Sequence, residues 1–112
     1  MKLVEYRSDS VSRGTVFRFP AMWPYENYLD LLVVSMPDDD SEYGLVISTG
    51  HKAGLILVRL PKESEHGDKR AIKTKWLLDN WSKWIYPECD VDNVFILEHY
   101  PSPKEMSCIN LY

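Results

Sequence analysis

The sequence has no long apolar run. Its longest, LLVVSM at residues 31–36, has the length of a strand, whereas a helix needs about 20 apolar residues to cross a bilayer. The first ten residues, MKLVEYRSDS, also lack the apolar core of a secretory signal peptide. We therefore expect a cytoplasmic protein without a membrane partner.

The sequence is also poor in the motifs that hold metals or cofactors. Cys89 and Cys108 make no zinc pattern, and in a reducing compartment we expect free thiols. The segment STGHKAG (48–54) lacks the spacing of a phosphate-binding loop and precedes a strand, so it favours a hairpin turn. The segment DVDN (90–93) lacks the glycine and the final glutamate of a calcium loop. We expect no cofactor and no metal site.

The chain has no excess of basic residues. It holds 13 Lys+Arg against 17 Asp+Glu, a net charge of -4, whereas nucleic-acid-binding domains carry a basic surface. An acidic protein is instead steered towards basic surfaces, including those of other proteins. Direct binding to nucleic acid is therefore not expected. The length of 112 residues and the 45% of hydrophobic residues predict one soluble domain over residues 1–112.

Five segments have the composition and alternation of β-strands: residues 14–19, 27–36, 43–49, 54–60 and 93–100. The second of them is apolar on both faces except at Asp30, which is typical of a central strand. A short glycine-bounded turn joins the third and fourth as an antiparallel hairpin. The pattern predicts an α+β fold, a single domain with a mainly antiparallel five-stranded sheet and one helix from the C-terminal half packed on one face.

The segment TKWLLDNWSKWIYP predicts that helix, with Thr74 as its N-cap and Pro87 at its end. At 100° per residue, five apolar residues share an arc of about 120° and are expected to face the core. These residues are Leu77, Leu78, Trp81, Trp84 and Ile85. Trp76 lies about 80° outside this arc, so it needs cover from a loop, from the C-terminal residues or from a partner.

Acidic residues form two clusters in predicted loops, each beside a tyrosine. Solvated turns explain such clusters as well as a binding surface does. A surface of carboxylates with tryptophan and tyrosine anchors would suit an Arg/Lys-rich protein. The candidate partner-binding residues are Trp23, Asp38, Asp39, Asp40, Glu42, Tyr43, Trp76, Tyr86, Glu88, Asp90 and Asp92.

Two other classes of function remain as alternatives. A small enzyme or ligand-binding domain would use the Gly50–Gly54 loop with Cys89 as nucleophile and His99 as base. The carboxylates on both sides of Cys89 raise a thiol pKa and oppose this use, so we expect no catalytic residues and no enzyme. A homo-oligomeric structural protein would instead use Trp76 as its own interface.

Two longer segments, ISTGHKAGLILVRLP (47–61) and WLLDNWSKWIYPECDV (76–91), resemble the immunity proteins of bacterial polymorphic toxin systems, in particular the immunity protein 45 family. The likeness extends over about residues 14–100. It implies a non-enzymatic antitoxin that binds the C-terminal domain of a cognate toxin in contact-dependent growth inhibition or a related system. It also implies a nuclease toxin, whose basic surface an acidic inhibitor suits. We expect a monomer or a weak homodimer.

Overall fold

A computed structural model describes residues 1–37 and 40–100 of the chain. Its strands are β1 (Ser10–Val11), β2 (Val16–Pro20), β3 (Tyr28–Ser35), β4 (Tyr43–Ile47), β5 (Ile56–Arg59), β6 (Ile72–Lys73) and β7 (Phe95–Leu97). The helix α1 (Thr74–Asn80) continues into a π-helical turn, Trp81–Ile85. Short 3₁₀ turns cover Leu3–Glu5, Lys62–Ser64 and Val91–Asn93. In this part of the chain, no helix combines the length and the apolar character that a membrane crossing requires.

Five strands form one antiparallel sheet in the order β5-β4-β3-β2-β7. Strands β2 to β5 follow one another as a meander, and β7 returns to pair with the free edge of β2, with Phe17 opposite Ile96. Strand β3, whose residues are apolar on both faces, lies at the centre of this sheet. The predicted α+β fold with five antiparallel strands and one C-terminal-half helix is confirmed.

One face of the sheet holds the hydrophobic core. Side chains alternate along each strand, so Phe17, Phe19 and Leu31 point to the same side, where they are fully buried. The π-helical turn covers them, because the ring of Trp81 meets Phe17 and Phe19 edge-on at 5.5 and 5.3 Å. The opposite face carries Arg18 and contributes no residue to the main core cluster.

The N-terminal segment, which no predicted strand or helix covers, is part of the folded body. Strand β1 pairs antiparallel with β6, and Leu3 and Val11 are fully buried. Strands of two residues are too short for an alternating pattern to reveal them. The helix begins one residue earlier than predicted: Lys73 is its N-cap, and the Thr74 hydroxyl donates instead to the carbonyl of Ser8 at 2.8 Å.

The prediction that Trp84 lies in the core is wrong. Trp81 is buried, but the side chain of Trp84 is 38% exposed. The Tyr86 N–H bonds to the carbonyl of Trp81, five residues back, so this turn is wider than an α-helical one. Side chains then advance by about 80° instead of 100° per residue, which places Trp84 about 120° away from Trp81. Ile85 stays on the core side and is buried.

Candidate functional site

The most exposed aromatic side chain described is Trp23, at 89%. It lies in the connection between β2 and β3, residues 21–27, which we call the Trp23 loop. Pro20 precedes this segment and Pro24 lies within it, and each lacks the backbone donor that regular hydrogen bonding needs. The loop is fixed to the helix end, because the backbone N–H of Met22 donates to the hydroxyl of Tyr86 at 3.2 Å. The exposed indole is therefore carried by an anchored loop.

A second contact ties the Trp23 loop to the turn between β4 and β5. The carboxylate of Glu26 lies 2.6 Å from the ring nitrogen Nδ1 of His51 and accepts a hydrogen bond from the His51 backbone at 3.1 Å. These two bonds lower the pKa of Glu26 to about 2. Nearby, the ammonium of Lys52 lies 6.0 Å from the centre of the Tyr25 ring. The Trp23 loop and the turn between β4 and β5 are therefore bonded to each other at one end of the sheet.

The predicted acidic residues after the helix, Glu88, Asp90 and Asp92, are all exposed, and we call them the acidic loop. Asp90 accepts a hydrogen bond from the backbone of Asp92 at 3.0 Å and starts the 3₁₀ turn that follows. The acidic loop begins two residues after Tyr86, which bonds to the Trp23 loop. These carboxylates therefore follow closely, along the chain, the tyrosine whose hydroxyl holds the Trp23 loop.

The other predicted acidic cluster has a different setting. Asp40 and Glu42 are exposed, while Asp38 and Asp39 lie outside the described residues. Glu42 borders a polar cleft of about 240 Å³ that also contains two arginines. The cleft is lined by Ser12, Arg13, Ser35, Glu42, Tyr43 and Arg70. Positive and negative groups are therefore mixed in the lining of this cleft.

The two acidic clusters lie at opposite ends of the sheet. Strand β3 ends at Ser35, opposite Tyr43, and the first cluster sits in the turn between them. Strand β7 begins at Phe95 opposite Arg18, so the chain enters β7 from the end where β2 finishes. Asp40 and Glu42, the described members of the first cluster, therefore lie at the opposite end of the sheet from the acidic loop.

Both tyrosines expected beside the acids as surface anchors are buried, and this corrects the sequence analysis. Tyr43 points to the core face of β4, and burial raises the pKa of its hydroxyl. The ring of Tyr86 packs between Phe19 at 4.9 Å and Tyr25 at 6.0 Å. Both rings therefore belong to the hydrophobic core. They stabilise the fold and expose little surface to a partner.

Trp76 is half-buried and is covered in part by Trp84. Their ring centres are 5.9 Å apart with the planes tilted by 55°. The sequence analysis sought this cover in a loop, the C-terminal residues or a partner. The π-helical turn supplies part of this cover, because it moves Trp84 off the core and onto the side of the helix where Trp76 lies.

A network of polar side chains that the sequence does not reveal lies on the second face of the sheet. Arg18 donates from Nε and Nη2 to both oxygens of Asp30, at 2.8 and 2.9 Å, across neighbouring strands. The Asp30 side chain has no exposed surface, whereas that of Arg18 is 44% exposed. The hydroxyl of Tyr100 donates to the same carboxylate at 2.7 Å, and the Arg18 guanidinium lies 5.3 Å from the centre of the Tyr28 ring.

Partly exposed aromatic and apolar side chains share this side of the sheet with the network. The half-exposed residues on this side of the sheet are Tyr28, Ile56, Phe95 and Tyr100. Together with Arg18 and Asp30 they form what we call the Arg18 face. One signal was present in the sequence, since a lone aspartate in an apolar central strand requires a partner when it is buried. Its partner, on the adjacent strand, follows only from the register.

The alternative nucleophilic site has no geometric support. Cys89 is buried, its thiol donates to the carbonyl of Asp90 at 3.4 Å, and burial together with Asp90 raises its pKa. Among the residues described, no hydrogen bond joins Cys89 to a histidine: His51 bonds to Glu26, and Nδ1 of His99 lies 3.1 Å from the Tyr100 carbonyl. Nor does this part of the chain hold a group of three metal-binding side chains. Cys108 lies outside it.

Comparison with known proteins gives one match. The family model described as immunity protein 45 matches residues 3–96, which is most of the chain. Neither the curated proteins nor the solved structures contain a match. An immunity protein family indicates an antitoxin role and a non-enzymatic inhibitor. The chain belongs to the immunity protein 45 family.

Proposed function

We propose that this protein neutralises the toxin domain of a contact-dependent growth inhibition or related polymorphic toxin system, by one-to-one binding and without catalysis. The observation that carries the proposal is the family match over residues 3–96. The toxin is a nuclease with a basic surface, which the net charge of -4 complements. The inhibitor then acts by covering a surface that the toxin needs.

The surface proposed to meet the toxin combines the Trp23 loop with the acidic loop. Tryptophan is enriched among the residues that dominate binding energy, and Trp23 exposes 89% of its side chain. The bonds from Glu26 to His51 and from Met22 to Tyr86 hold the loop in place, so less conformational freedom is lost on binding. The carboxylates of Glu88 and Asp92 would attract a basic partner and speed encounter.

Binding and protection test the proposal directly. The toxin domain encoded immediately upstream is titrated with the purified protein in a calorimeter, and cells that express the toxin domain are tested for growth with and without this protein. One-to-one binding together with restored growth is the expected result. Absence of both would overturn the proposed function.

The variant Trp23→Ala tests the surface. We expect the dissociation constant to rise by about 30-fold, the effect of losing an anchor worth roughly 2 kcal/mol, with stability unchanged within about 0.5 kcal/mol. Trp84→Ala is the matched control, because it also removes an exposed indole but from the helix. If Trp84→Ala weakens binding and Trp23→Ala does not, the toxin contacts the helix and the proposed surface is wrong.

The contribution of the acidic loop is tested by the rate at which the protein associates with the toxin domain. The double variant Glu88→Gln/Asp92→Asn should slow association at low salt, and the difference from the wild type should vanish at high salt, where charges are screened. Asp90 is left unchanged because it caps the 3₁₀ turn. An association rate that is independent of salt in the wild type would contradict a basic partner.

A further inference from the structure

The guanidinium of Arg18 retains hydrogen-bonding capacity on an exposed face. Arginine has five N–H donors, and in the described part of the chain two of those of Arg18 bond to Asp30. The Arg18 side chain is 44% exposed, so the remaining donors can be reached from outside. This group combines a fixed positive charge with unused directional donors.

Arg18 is also held in one orientation. It donates two hydrogen bonds to the Asp30 carboxylate, one to each oxygen. The centre of the Tyr28 ring lies 5.3 Å from the guanidinium carbon. Asp30 is itself fixed, since Tyr100 donates to its carboxylate and the Thr49 hydroxyl accepts from its backbone N–H. A partner that binds Arg18 therefore meets a side chain whose rotamer freedom is already restricted.

The surroundings of Arg18 have the composition of an interface centre. Phe95 lies opposite it on β7, Tyr28 lies against it, and Tyr100 bonds to its partner Asp30; all three are half-exposed. Arginine and tyrosine are enriched among residues that dominate binding, and apolar neighbours strengthen a central polar contact by excluding water. An exposed arginine in open solvent would not gain in this way.

The charge on this face identifies the kind of group that would fit it. Both oxygens of Asp30 are engaged, and its side chain is completely buried, so Asp30 cannot accept a bond from an incoming molecule. A second copy of the chain would bring its own Arg18 to this surface and a carboxylate that is equally occupied. The complementary occupant is therefore a different protein that supplies its own carboxylate.

We infer that the Arg18 face is a second contact surface for the toxin domain and receives a toxin carboxylate set among apolar side chains. The inference rests on the proposed function and adds a contact of opposite polarity to that of the acidic loop. The toxin then carries, besides its basic surface, an acidic residue in an apolar patch. This residue occupies the unused donors of Arg18.

The test must remove the guanidinium and keep the fold. Arg18→Met alone leaves the buried Asp30 without its counter-charge, whereas Arg18→Met/Asp30→Leu replaces both members by apolar groups, which folded proteins tolerate. We expect the double variant to bind the upstream-encoded toxin domain at least about 30-fold more weakly, and Phe95→Ala about 10-fold more weakly. Val4→Ala is the control, since Val4 is exposed but lies in the first 3₁₀ turn, outside the Arg18 face.

The carboxylate is identified by varying the toxin. Each toxin Asp or Glu is changed to its amide and paired with the wild type and with the Arg18→Met/Asp30→Leu variant in a double-mutant cycle. One amide should weaken binding of the wild type about 10-fold and leave binding of the double variant unchanged. If no toxin acid shows this coupling, the carboxylate assignment is overturned.

Two further outcomes separate this inference from the proposed function. If the wild type binds the toxin, Trp23→Ala weakens that binding and the Arg18→Met/Asp30→Leu variant binds like the wild type, the inference alone fails. A wild type that does not bind the toxin overturns the proposed function and this inference with it. Light scattering adds a direct check: a free dimer that the double variant converts to a monomer would assign the Arg18 face to self-association and overturn the inference.

Discussion

The stability of the Arg18–Asp30 pair should depend strongly on which partner is removed. Arg18→Met leaves a carboxylate with no exposed surface and takes away both of its charge-assisted bonds, at 2.8 and 2.9 Å. The Tyr100 hydroxyl remains as a donor at 2.7 Å. Breaking a buried ion pair costs about 3 to 5 kcal/mol. We expect about 3 kcal/mol, the lower end, because Arg18 is partly exposed and water can enter its place.

Asp30→Asn should cost less than Arg18→Met. The group left without its charge partner is then Arg18, which is 44% exposed and can be solvated by water. We expect a loss of about 1 to 2 kcal/mol for this variant. The combined change Arg18→Met/Asp30→Leu should lie within about 1.5 kcal/mol of the wild type, since no buried charge remains.

Urea unfolding at pH 7, followed by tryptophan fluorescence, measures these differences. With a slope of about 1 to 3 kcal/mol per molar urea, a loss of 3 kcal/mol lowers the midpoint by about 1 to 3 M. The midpoints should fall in the order wild type, double variant or Asp30→Asn, then Arg18→Met. The reasoning fails if Arg18→Met loses less than about 1 kcal/mol or if the double variant is as unstable as Arg18→Met.

Two other predictions follow from the helix and from the paired loops. Trp81→Ala should lose about 3 to 5 kcal/mol of unfolding free energy as a core truncation, and Trp84→Ala no more than about 1.5 kcal/mol. Equal losses in urea unfolding would show that both indoles belong to the core. Glu26, with its pKa lowered from 4.5 to about 2, adds stability that is complete above pH 4.5 and lost as the pH falls towards 2. Carboxyl NMR titration should show this midpoint and its rise towards 4.5 in His51→Ala, which removes the ring contact but keeps the backbone N–H of residue 51. An unchanged midpoint in that variant would contradict the ring contact.

The sheet could be predicted because its signals are local. Alternation in β2 and the continuous apolar run of β3 determine which side chains face inward, and a glycine-bounded turn joins β4 to β5. Strands β1 and β6 could not be found this way, since each has two residues and is stabilised by the other. The pairing of β7 with β2 likewise depends on contacts about 80 residues apart along the chain, which no local pattern specifies.

In the helix, the α-helical period predicts burial only as far as Trp81. Leu77 and Trp81 follow the α-helical period and are buried as predicted. From Trp81 onward the hydrogen bonds connect residues five apart, so the 100° rule assigns Trp84 to the wrong side. The same change of period explains part of the cover of Trp76, because it brings the ring of Trp84 to 5.9 Å from that of Trp76. A single change of helical period therefore accounts for both tryptophans.

The candidate site was only partly accessible from the sequence. An apolar segment between prolines indicated that Trp23 lies in an irregular connection, and the structure places its ring at the surface. The sequence showed the acidic residues as clusters but did not show which residues lie next to them in the fold. Arg13 and Arg70 share a cleft with Glu42. Such groups are far apart in the chain and meet only through the fold. Electrostatic surfaces built from distant residues are therefore the part that composition predicts least well.

The Arg18–Asp30 pair is difficult to explain by stability alone. Replacing a buried ion pair by apolar residues of similar size is often neutral or stabilising, so the fold does not require a charged pair on this face of the sheet. What the pair does provide is direction. Asp30 fixes the guanidinium plane and Tyr28 lies against it. The other N–H groups have no partner among the described residues, and they belong to a side chain that is 44% exposed. Orienting Arg18 requires a carboxylate to be buried, which does little for the stability of the sheet. Such an arrangement is better explained by recognition of a partner than by packing of the sheet.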